Sequence, residues 1–301
     1  MQDSPAPASR PQGATLLVTG ATGFLGRAVM ARARAWGLRA VPAPRALFGA
    51  ARGFAEFLDE VQPSHAIDAA GILPGRGDVA GNVALTRCWI EALGQARAAP
   101  RLVLTGSAAV YGSGAAPDRA TREDDPMRPV SDYGRAKLAA LELGREAHAR
   151  AGHDIQTGIV FNLIGAGQAP HMAPRVFIER ALAARGGTFE VGQVDAVRDF
   201  MDIEDAAEAL IALALRGRAG EICNVATGRP TRIGDLLDAI GAATGAGWES
   251  GSAGEGSADI CYGDPARLVA QTGWQPRHDF ETALARAIAA VRANRGAEAE
   301  R

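Results

Sequence analysis

The sequence predicts an α/β fold: a parallel, doubly wound sheet with helices on both faces, and a smaller C-terminal α/β lobe closing over the cleft. Short apolar, β-branched runs alternate with helical segments from residue 14 onward. The first run, Ala14 to Thr19, passes directly into a glycine turn and then into a helix, Arg27 to Trp36. The 301 residues are enough for one such domain with an appended lobe.

The glycine turn reads Gly20-Ala-Thr-Gly23-Phe-Leu-Gly26. Gly20 permits the tight turn, and Gly23 lets the backbone approach a pyrophosphate. Gly26 lets the helix pack on the strand, with helix N–H groups facing the phosphates. Because the chain has 37 glycines, the position between strand and helix carries this prediction, not the pattern alone. The predicted cofactor contacts here are Gly20, Thr22, Gly23, Phe24, Leu25 and Gly26.

Further cofactor contacts follow the next two strands. Leu38 to Val41 is a predicted strand that ends at Pro42-Ala-Pro-Arg45. An arginine at this strand end accommodates a 2′-phosphate, so Arg45 favours NADP and leaves NAD open. The alternative is a solvated loop arginine, because the strand end is uncertain by a few residues. The next predicted strand, His65 to Ala70, runs into Gly71, and we expect Ala70 and Gly71 at the cofactor.

Candidate catalytic residues lie in the middle of the chain. Tyr133 and Lys137 open an Ala/Leu-rich helical run, and positions i and i+4 share one helix face. A neighbouring ammonium favours phenolate, so Lys137 is expected to lower the pKa of Tyr133. The alternative is an ordinary surface Tyr and Lys. Ser107 follows the predicted strand Arg101 to Thr105, where doubly wound sheets bind ligands; the alternative is a turn serine.

The Gly-x-x-Gly-x-x-Gly turn followed by Tyr-x-x-x-Lys resembles the extended branch of the short-chain dehydrogenase/reductase superfamily, which has a Rossmann-type fold. The resemblance implies a catalytic triad in which Ser107 holds the substrate oxygen, Tyr133 donates a proton and Lys137 binds the nicotinamide ribose. It also implies that Asn82 supports the lysine. Ala108 and Ala109 stand where dehydratases of this branch carry acidic residues, which disfavours a dehydratase.

Three later segments are similar in wording to reductases of GDP-4-keto-6-deoxymannose: Phe161 to Gln168, Val191 to Asp205, and Gly263 to Pro276. The resemblance implies that Asn162 and Arg198 bind a substrate diphosphate. Where the family has Arg-Pro-x-Asp, this chain reads Gly-Ser-Ala-Asp259. With one arginine missing, either Arg198 or Arg267 does more, or the ligand differs. The predicted substrate contacts are Ser107, Tyr133, Asn162, Arg198 and Arg267.

The predicted function is therefore NAD(P)-dependent reduction of a 4-keto-6-deoxy sugar nucleotide by hydride transfer, with a tyrosine as general acid. One alternative is a nucleotide-sugar epimerase with the same triad and tightly bound NAD. An alternative from another class is a dinucleotide-sensing binding protein whose triad is vestigial. Family members usually dimerise through the helices that follow Asn82 and Tyr133, so the resemblance also implies a homodimer.

Composition excludes several other functions. The formal charge of −2 and a pI near 6.2 argue against nucleic acid as a partner. No apolar run is long enough to span a bilayer, so we expect no membrane segment. The three cysteines are far apart and lack Cys-x-x-Cys spacing, which argues against disulfides and a metal site and favours a cytoplasmic protein.

The predicted organisation has four parts. Residues 1–13 form a disordered leader, and residues 14–167 form the dinucleotide-binding domain, to which segments near 191–225 return. Residues 168–293 are mainly the substrate-binding lobe, with a mobile Gly/Ser-rich loop from Trp248 to Asp259. Residues 294–301 form a frayed tail.

Overall fold

The structure is a computed structural model that describes residues 13–114, 118–251 and 259–299, with side chains described as far as residue 295. The strands are β1 Thr15–Thr19, β2 Arg39–Pro42, β3 His65–Asp68, β4 Arg101–Ser107, β5 Ile155–Val160, β6 Asn162–Ile164, β7 Thr188–Val191, β8 Val197–Arg198, β9 Phe200–Asp202, β10 Ile222–Val225, β11 Thr231–Arg232, β12 Gly247–Ser250 and β13 Ile260–Cys261. The helices are α1 Phe24–Ala35, α2 Ala51–Val61, α3 Gly81–Gln95, α4 Asp132–Ala151, α5 Ala173–Ala184, α6 Ile203–Arg216, α7 Ile233–Thr244, α8 Ala266–Thr272 and α9 Phe280–Ala299, with two short 3-10 turns at Arg45–Leu47 and Ala108–Tyr111.

Six strands form the central sheet in the order β2-β1-β3-β4-β5-β10, and every neighbouring pair is parallel. This confirms the predicted doubly wound fold. Because all six strands run the same way, their carboxyl ends meet at one edge of the sheet, where such folds bind ligands. The ends of β1, β3 and β4 are adjacent there, since β3 lies between the other two.

Alternate residues of β1 build the two faces of the core. Leu16 and Val18 pack with α1 and α6 on one face. Leu17 packs on the opposite face, with α2 and α3 residues such as Phe54 and Trp89, which are themselves in contact. The period-2 alternation of a strand therefore explains why a continuous apolar run is needed when helices cover both faces.

The second lobe has its own core between α5, α7 and α9. Ile178, Ile240 and Leu284, one from each helix, pack together and are fully buried or nearly so. Two elements that follow the start of this lobe in sequence belong to the central sheet: β10 pairs with β5, and α6 packs against α1. The chain therefore crosses between the two units more than once.

Several element boundaries differ from those predicted. Helix α1 begins at Phe24 rather than Arg27, because Gly23 already has the extended backbone of an N-cap. Residues Gly247–Ser250 form β12 beside β7 where a mobile loop was predicted, held in part by a 2.8 Å hydrogen bond from the Trp248 indole to Asp238. Helix α9 continues to Ala299, which lies within the segment predicted to be a frayed tail from residue 294.

The predicted leader, apart from Gly13, lies outside the described residues, as do residues 252–258 of the predicted mobile loop. Within the described part of the chain, no helix combines the length and the apolar character needed to cross a membrane.

Candidate active site

The glycine turn lies against the carboxyl end of β3. Gly20 has a φ of +64°, and a Cβ built on it would come within 2.6 Å of Ala69 O and Ala70 N. A Cβ on Gly26 would overlap the Gly20 carbonyl oxygen. Both positions therefore require glycine: the first for backbone conformation and space, the second for space alone. This agrees with the roles predicted for Gly20 and Gly26.

The first turn of α1 suits an anion. Gly23 is the N-cap and supplies no side-chain hydrogen bond, so the N–H groups of the first turn, which begins with Phe24 and Leu25, have no capping side chain. Helix N-termini bind phosphate through such N–H groups and the helix dipole. The residues present therefore fit the pyrophosphate of a dinucleotide, as the cofactor contacts predicted at this turn require.

Sequence reasoning overlooked Arg27, which follows Gly26 directly. Its guanidinium donates to Thr22 O at 2.8 Å and to Gly167 O at 3.2 Å. Arg27 thereby joins the glycine turn to the loop after β6. The signal for this contact was absent from the sequence, since Gly167 lies far along the chain.

Arg45 is exposed and begins the 3-10 turn that follows β2. β2 pairs with β1 and ends at Pro42, so Arg45 follows the end of the strand beside the one that carries the glycine turn. The predicted role of Arg45 at an adenosine 2′-phosphate requires this location. The role itself stays a prediction.

Ser107 and Tyr133 are brought together by a close approach of α4 to the end of β4. Ser131 caps α4 by accepting a hydrogen bond from Gly134 N at 3.1 Å. A Cβ on Gly134 would lie 2.5 Å from Ala109 O, so glycine lets the first turn of α4 sit against the turn that follows Ser107. The Ser107 side chain lies close enough to the Tyr133 phenol to lower the pKa of that phenol, while its Oγ accepts a hydrogen bond from Ala109 N at 3.3 Å.

The pKa of Tyr133 differs from the prediction. Burial raises the pKa of Tyr133 above its ordinary value, and the nearby Ser107 side chain lowers it. The prediction that Lys137 lowers it is wrong in this structure. The reason is where the ammonium lies: Lys137 Nζ donates to Thr105 O at 2.8 Å, beneath the sheet edge. The phenol is therefore held in its protonated form at neutral pH.

Lys137 is only 9% exposed. Burial lowers the pKa of its ammonium, and the carboxylate of Asp68 opposes that shift. Asp68 was not singled out from the sequence, although a carboxylate that ends an apolar strand is a usable signal.

Asn82, expected to support the lysine, holds the backbone of Ile72 by accepting from its N–H at 3.0 Å and donating to its carbonyl at 2.9 Å. A Cβ on Gly71 would lie 3.5 Å from Asn82 Oδ1 and 3.7 Å from Lys137 Nζ, so Gly71 also faces this group.

Two predicted substrate contacts lie close together in the second lobe. Asn162 donates from its backbone and from its side chain to Asp199 O, at 3.1 and 3.3 Å. The adjacent Arg198 forms an ion pair with Asp259 and donates to Asp259 O at 2.7 Å. The guanidinium therefore already has a carboxylate partner, from the segment in which the family's second arginine is missing.

Arg267 lies elsewhere. It pairs with Asp124 at 2.9 Å and Glu123 at 3.6 Å, and donates to Ile222 O at 3.5 Å. These contacts attach α8 to the acidic loop before α4, so both arginines have carboxylate partners, and the choice between them as the substrate arginine stays a prediction. Tyr111 is also structural: it is 1% exposed, and its hydroxyl donates to Asn224 Oδ1 at 2.8 Å.

Comparison with known proteins identifies the family. Residues 16–226 match the NAD-dependent epimerase/dehydratase family, and the chain belongs to it. This confirms the resemblance to extended short-chain dehydrogenases/reductases, an oxidoreductase class with a Rossmann fold.

Curated relatives carry out different reactions on nucleotide sugars. The chain is 32% identical over 252 residues to a dTDP-6-deoxy-L-talose 4-dehydrogenase (NAD(P)(+)) of Kitasatospora kifunensis, covering 75% of this chain and 78% of the relative. It is 27% identical to a UDP-glucose 4-epimerase of Azospirillum brasilense, with 88% of both chains covered. It is also 27% identical to a GDP-6-deoxy-D-mannose reductase of Pseudomonas aeruginosa, over 58% of this chain and 60% of that protein.

Solved structures share the fold. The RMD protein of Pseudomonas aeruginosa, complexed with NADPH, superposes with a TM-score of 0.81 at 23% identity, covering 93% of this chain and 99% of that one. A UDP-glucose 4-epimerase of Thermus thermophilus, complexed with NAD, gives a TM-score of 0.77 at 23% identity, over 92% and 99% of the two chains.

Proposed function

We propose that the chain reduces a 4-keto-6-deoxy sugar nucleotide with NADPH, through Ser107, Tyr133 and Lys137. The observation that carries the proposal is the close approach of the first turn of α4, with Tyr133, to the turn that follows Ser107 at the end of β4, where a Cβ on Gly134 would lie 2.5 Å from Ala109 O. A keto reduction needs a protonated group beside the carbonyl oxygen, and a phenol with a raised pKa is such a group at neutral pH.

Each residue has a defined task in this reaction. The dinucleotide supplies the hydride. The Ser107 hydroxyl orients the substrate carbonyl oxygen, and Tyr133 donates its phenolic proton to that oxygen as it becomes an alcohol. Lys137 would bind the nicotinamide ribose of the dinucleotide, as the family resemblance implies. The first turn of α1 would hold the pyrophosphate of the dinucleotide, and Arg45 would select the 2′-phosphate.

The substrate diphosphate would lie beside Arg198 and Asn162. A guanidinium binds phosphate oxygens in a bidentate manner. The orientation of the Arg198 guanidinium is fixed by its hydrogen bond to Asp259 O. Two of the relatives favour a 6-deoxy sugar by their names, the dTDP-6-deoxy-L-talose 4-dehydrogenase and the GDP-6-deoxy-D-mannose reductase. A 4-dehydrogenase acting in reverse is a 4-keto reductase, so both names favour hydride transfer to a deoxy sugar.

The direct test supplies NADPH and either a dTDP- or a GDP-linked 4-keto-6-deoxy sugar to the purified protein. We expect a loss of nicotinamide absorbance that is stoichiometric with substrate. Tyr133→Phe should lower turnover by about 10²–10⁴-fold, the usual cost of losing a general acid, and should still bind NADPH. Tyr111→Phe is the matched control, since that hydroxyl is buried and donates to Asn224 Oδ1, and its loss should leave turnover unchanged.

Full turnover by Tyr133→Phe would contradict the assignment of the acid. Turnover of neither keto sugar by the wild type would contradict the proposed reaction and would favour a dinucleotide-sensing binding protein.

A second candidate is an epimerase, because the UDP-glucose 4-epimerase relative matches over 88% of both chains. An epimerase regenerates its cofactor within each turnover, whereas a reductase consumes it and must exchange it. We therefore expect protein purified without added dinucleotide to carry little NAD⁺. Stoichiometric bound NAD⁺, together with interconversion of two sugar epimers without added cofactor, would establish the epimerase instead.

A further inference from the structure

Two opposite charges are buried together behind the candidate active site. Asp68, the last residue of β3, is 5% exposed, and Lys137 on α4 is 9% exposed. Both line one small cavity between the sheet and the helices α3 and α4, about 10 Å³ in volume, which is room for a single water. Burying one charge is costly, and burying two of opposite sign is tolerated when they act on each other.

The contacts hold both groups in place. Asp68 Oδ1 accepts hydrogen bonds from the Thr19 hydroxyl and from Ala70 N, the latter at 3.2 Å. Thr105 joins the pair: its hydroxyl donates to Asp68 O, and its carbonyl accepts from Lys137 Nζ. Asp68 and Lys137 are therefore fixed relative to one another by the ends of β1, β3 and β4, the three strands that carry the site.

We propose that Asp68 is the counterion of Lys137, and that this positioning carboxylate keeps the active-site lysine charged and directed at the sheet edge. The inference rests on the role proposed for Lys137 in cofactor binding, and it adds a residue to that site. Asp68 touches neither cofactor nor substrate in this proposal and acts only through the lysine.

Among the side chains that line this cavity, Asp68 is the one charged group besides Lys137. Burial lowers the pKa of Lys137 and raises the pKa of Asp68, and each charge opposes the shift of the other. The neighbours that β1 and α3 place around Asp68 are neutral: the Thr19 hydroxyl and the Trp89 indole. Removal of the carboxylate would leave the ammonium buried with no compensating charge.

Lys137 is the only lysine in the 301 residues, and all other residues counted with it as basic are arginines. An arginine stays charged everywhere, whereas a lysine responds to burial and to a neighbouring charge by a change of pKa. The single lysine also permits a direct measurement. Protein labelled with ¹³C at lysine Cε gives one lysine NMR signal, and its titration reports the pKa of Lys137 without any substrate.

The experiment compares this titration in the wild type, Asp68→Asn, Asp68→Glu and Asp205→Asn. We expect Asp68→Asn to lower the Lys137 pKa by about one to three units, the range for loss of one nearby opposite charge. Asp68→Glu should retain most of the wild-type pKa because it keeps the charge. Asp205→Asn removes another buried carboxylate, one that binds the backbone at Arg277 and His278, and should leave the Lys137 pKa unchanged.

NADPH affinity gives a second readout. NADPH affinity should fall at high pH, where Lys137 loses its charge. In Asp68→Asn this fall should begin at a lower pH, by the same amount as the lysine pKa is lowered. A merely structural role of Asp68 would instead weaken NADPH binding equally at every pH. An unchanged Lys137 pKa in Asp68→Asn would overturn the proposal.

If Asp68→Asn does not fold, the assigned ¹³Cγ signal of Asp68 in the wild type decides. A carboxylate ionised at neutral pH supports the ion pair, and a protonated one overturns it. None of these results depends on which sugar is reduced, so they are separate from the turnover test of Tyr133→Phe.

Discussion

Single side chains at the carboxyl edge of the sheet decide what this site binds and which protons it holds. Tyr133 and Ser107 meet there, and Lys137 lies beneath them on the Thr105 carbonyl. Burial raises the pKa of Tyr133, so the phenol is protonated at neutral pH, and general acid catalysis in the reductive direction requires that form. The same residue would have to be deprotonated first to oxidise an alcohol.

Arg45 yields a prediction about cofactor choice. Because it is exposed and follows the end of β2, we expect a charge-assisted contact with the 2′-phosphate, worth about 1.5–3 kcal/mol or roughly tenfold to a hundredfold in affinity. Fluorescence titration should show tighter binding of NADPH than NADH, and Arg45→Ala should narrow the difference. Arg34→Ala, an exposed arginine at the opposite end of α1, should leave both affinities unchanged. Equal affinities in the wild type would show that Arg45 is an ordinary loop residue.

At the scale of elements, the glycine turn is stable only while β1, α1 and the end of β3 stay in close contact. In Gly26→Ala the new Cβ overlaps the Gly20 carbonyl, so the turn must move. We expect a loss of about 1–3 kcal/mol in the free energy of unfolding, the usual cost of overpacking, and much weaker NADPH binding.

Gly53→Ala on α2 is the matched control. A Cβ there meets nothing within 4 Å, and alanine in a helix interior is favoured over glycine by up to about 1 kcal/mol. Urea denaturation should therefore show the two glycine variants moving in opposite directions. Two variants that both keep wild-type stability and NADPH affinity would contradict the packing described for the turn.

Asp199 connects three loops of the second lobe. Its carboxylate accepts from Thr227 N and Oγ1, from Gly228 N and from Gly263 N, and it is fully buried. Burial is the largest influence and raises its pKa from 3.8 to about 6. A carboxyl whose folded-state pKa is raised contributes stability that is complete below the unfolded value, and that contribution is lost as pH rises through the folded value.

We therefore expect the wild-type free energy of unfolding to fall by about 3 kcal/mol more than that of Asp199→Asn between pH 3 and pH 8. The figure follows from the pKa difference at 1.36 kcal/mol per unit. Chemical denaturation of both proteins across this range measures it. Parallel pH profiles for the two proteins would show that Asp199 keeps an ordinary pKa in the folded state.

At the scale of the whole molecule, the open question is assembly. Leu143 on α4 is partly exposed and belongs to none of the buried clusters within the described residues. If α3 and α4 form the dimer interface, as the family resemblance implies, the wild type should sediment at twice the chain mass of 31.1 kDa. Leu143→Glu should then shift it toward the monomer, because a charge would be buried in an apolar contact. Ala149→Glu, exposed on the same helix, should leave the dimer intact; a monomeric wild type would contradict the prediction.

The sequence by itself determined the features that depend on local pattern. Apolar runs with glycine punctuation predicted the parallel sheet, and the glycine turn predicted the close contacts at Gly20 and Gly26. The four-residue spacing placed Tyr133 and Lys137 in the first turns of one helix. The apolar strand before it placed Ser107 at the end of β4. These features were accessible because strand alternation, helix periodicity and the conformational freedom of glycine act over a few residues.

Only the tertiary structure decided which distant groups meet. Asp68 and Lys137 line one cavity, Arg27 donates to Gly167 O, and Arg198 pairs with Asp259, each across a long stretch of chain. The direction of the Tyr133 pKa shift was also decided there, because burial outweighs the expected effect of a lysine whose ammonium lies on the Thr105 carbonyl. Desolvation and long-range electrostatics depend on which groups surround a side chain. Those neighbours come from distant parts of the chain, so local sequence does not determine them.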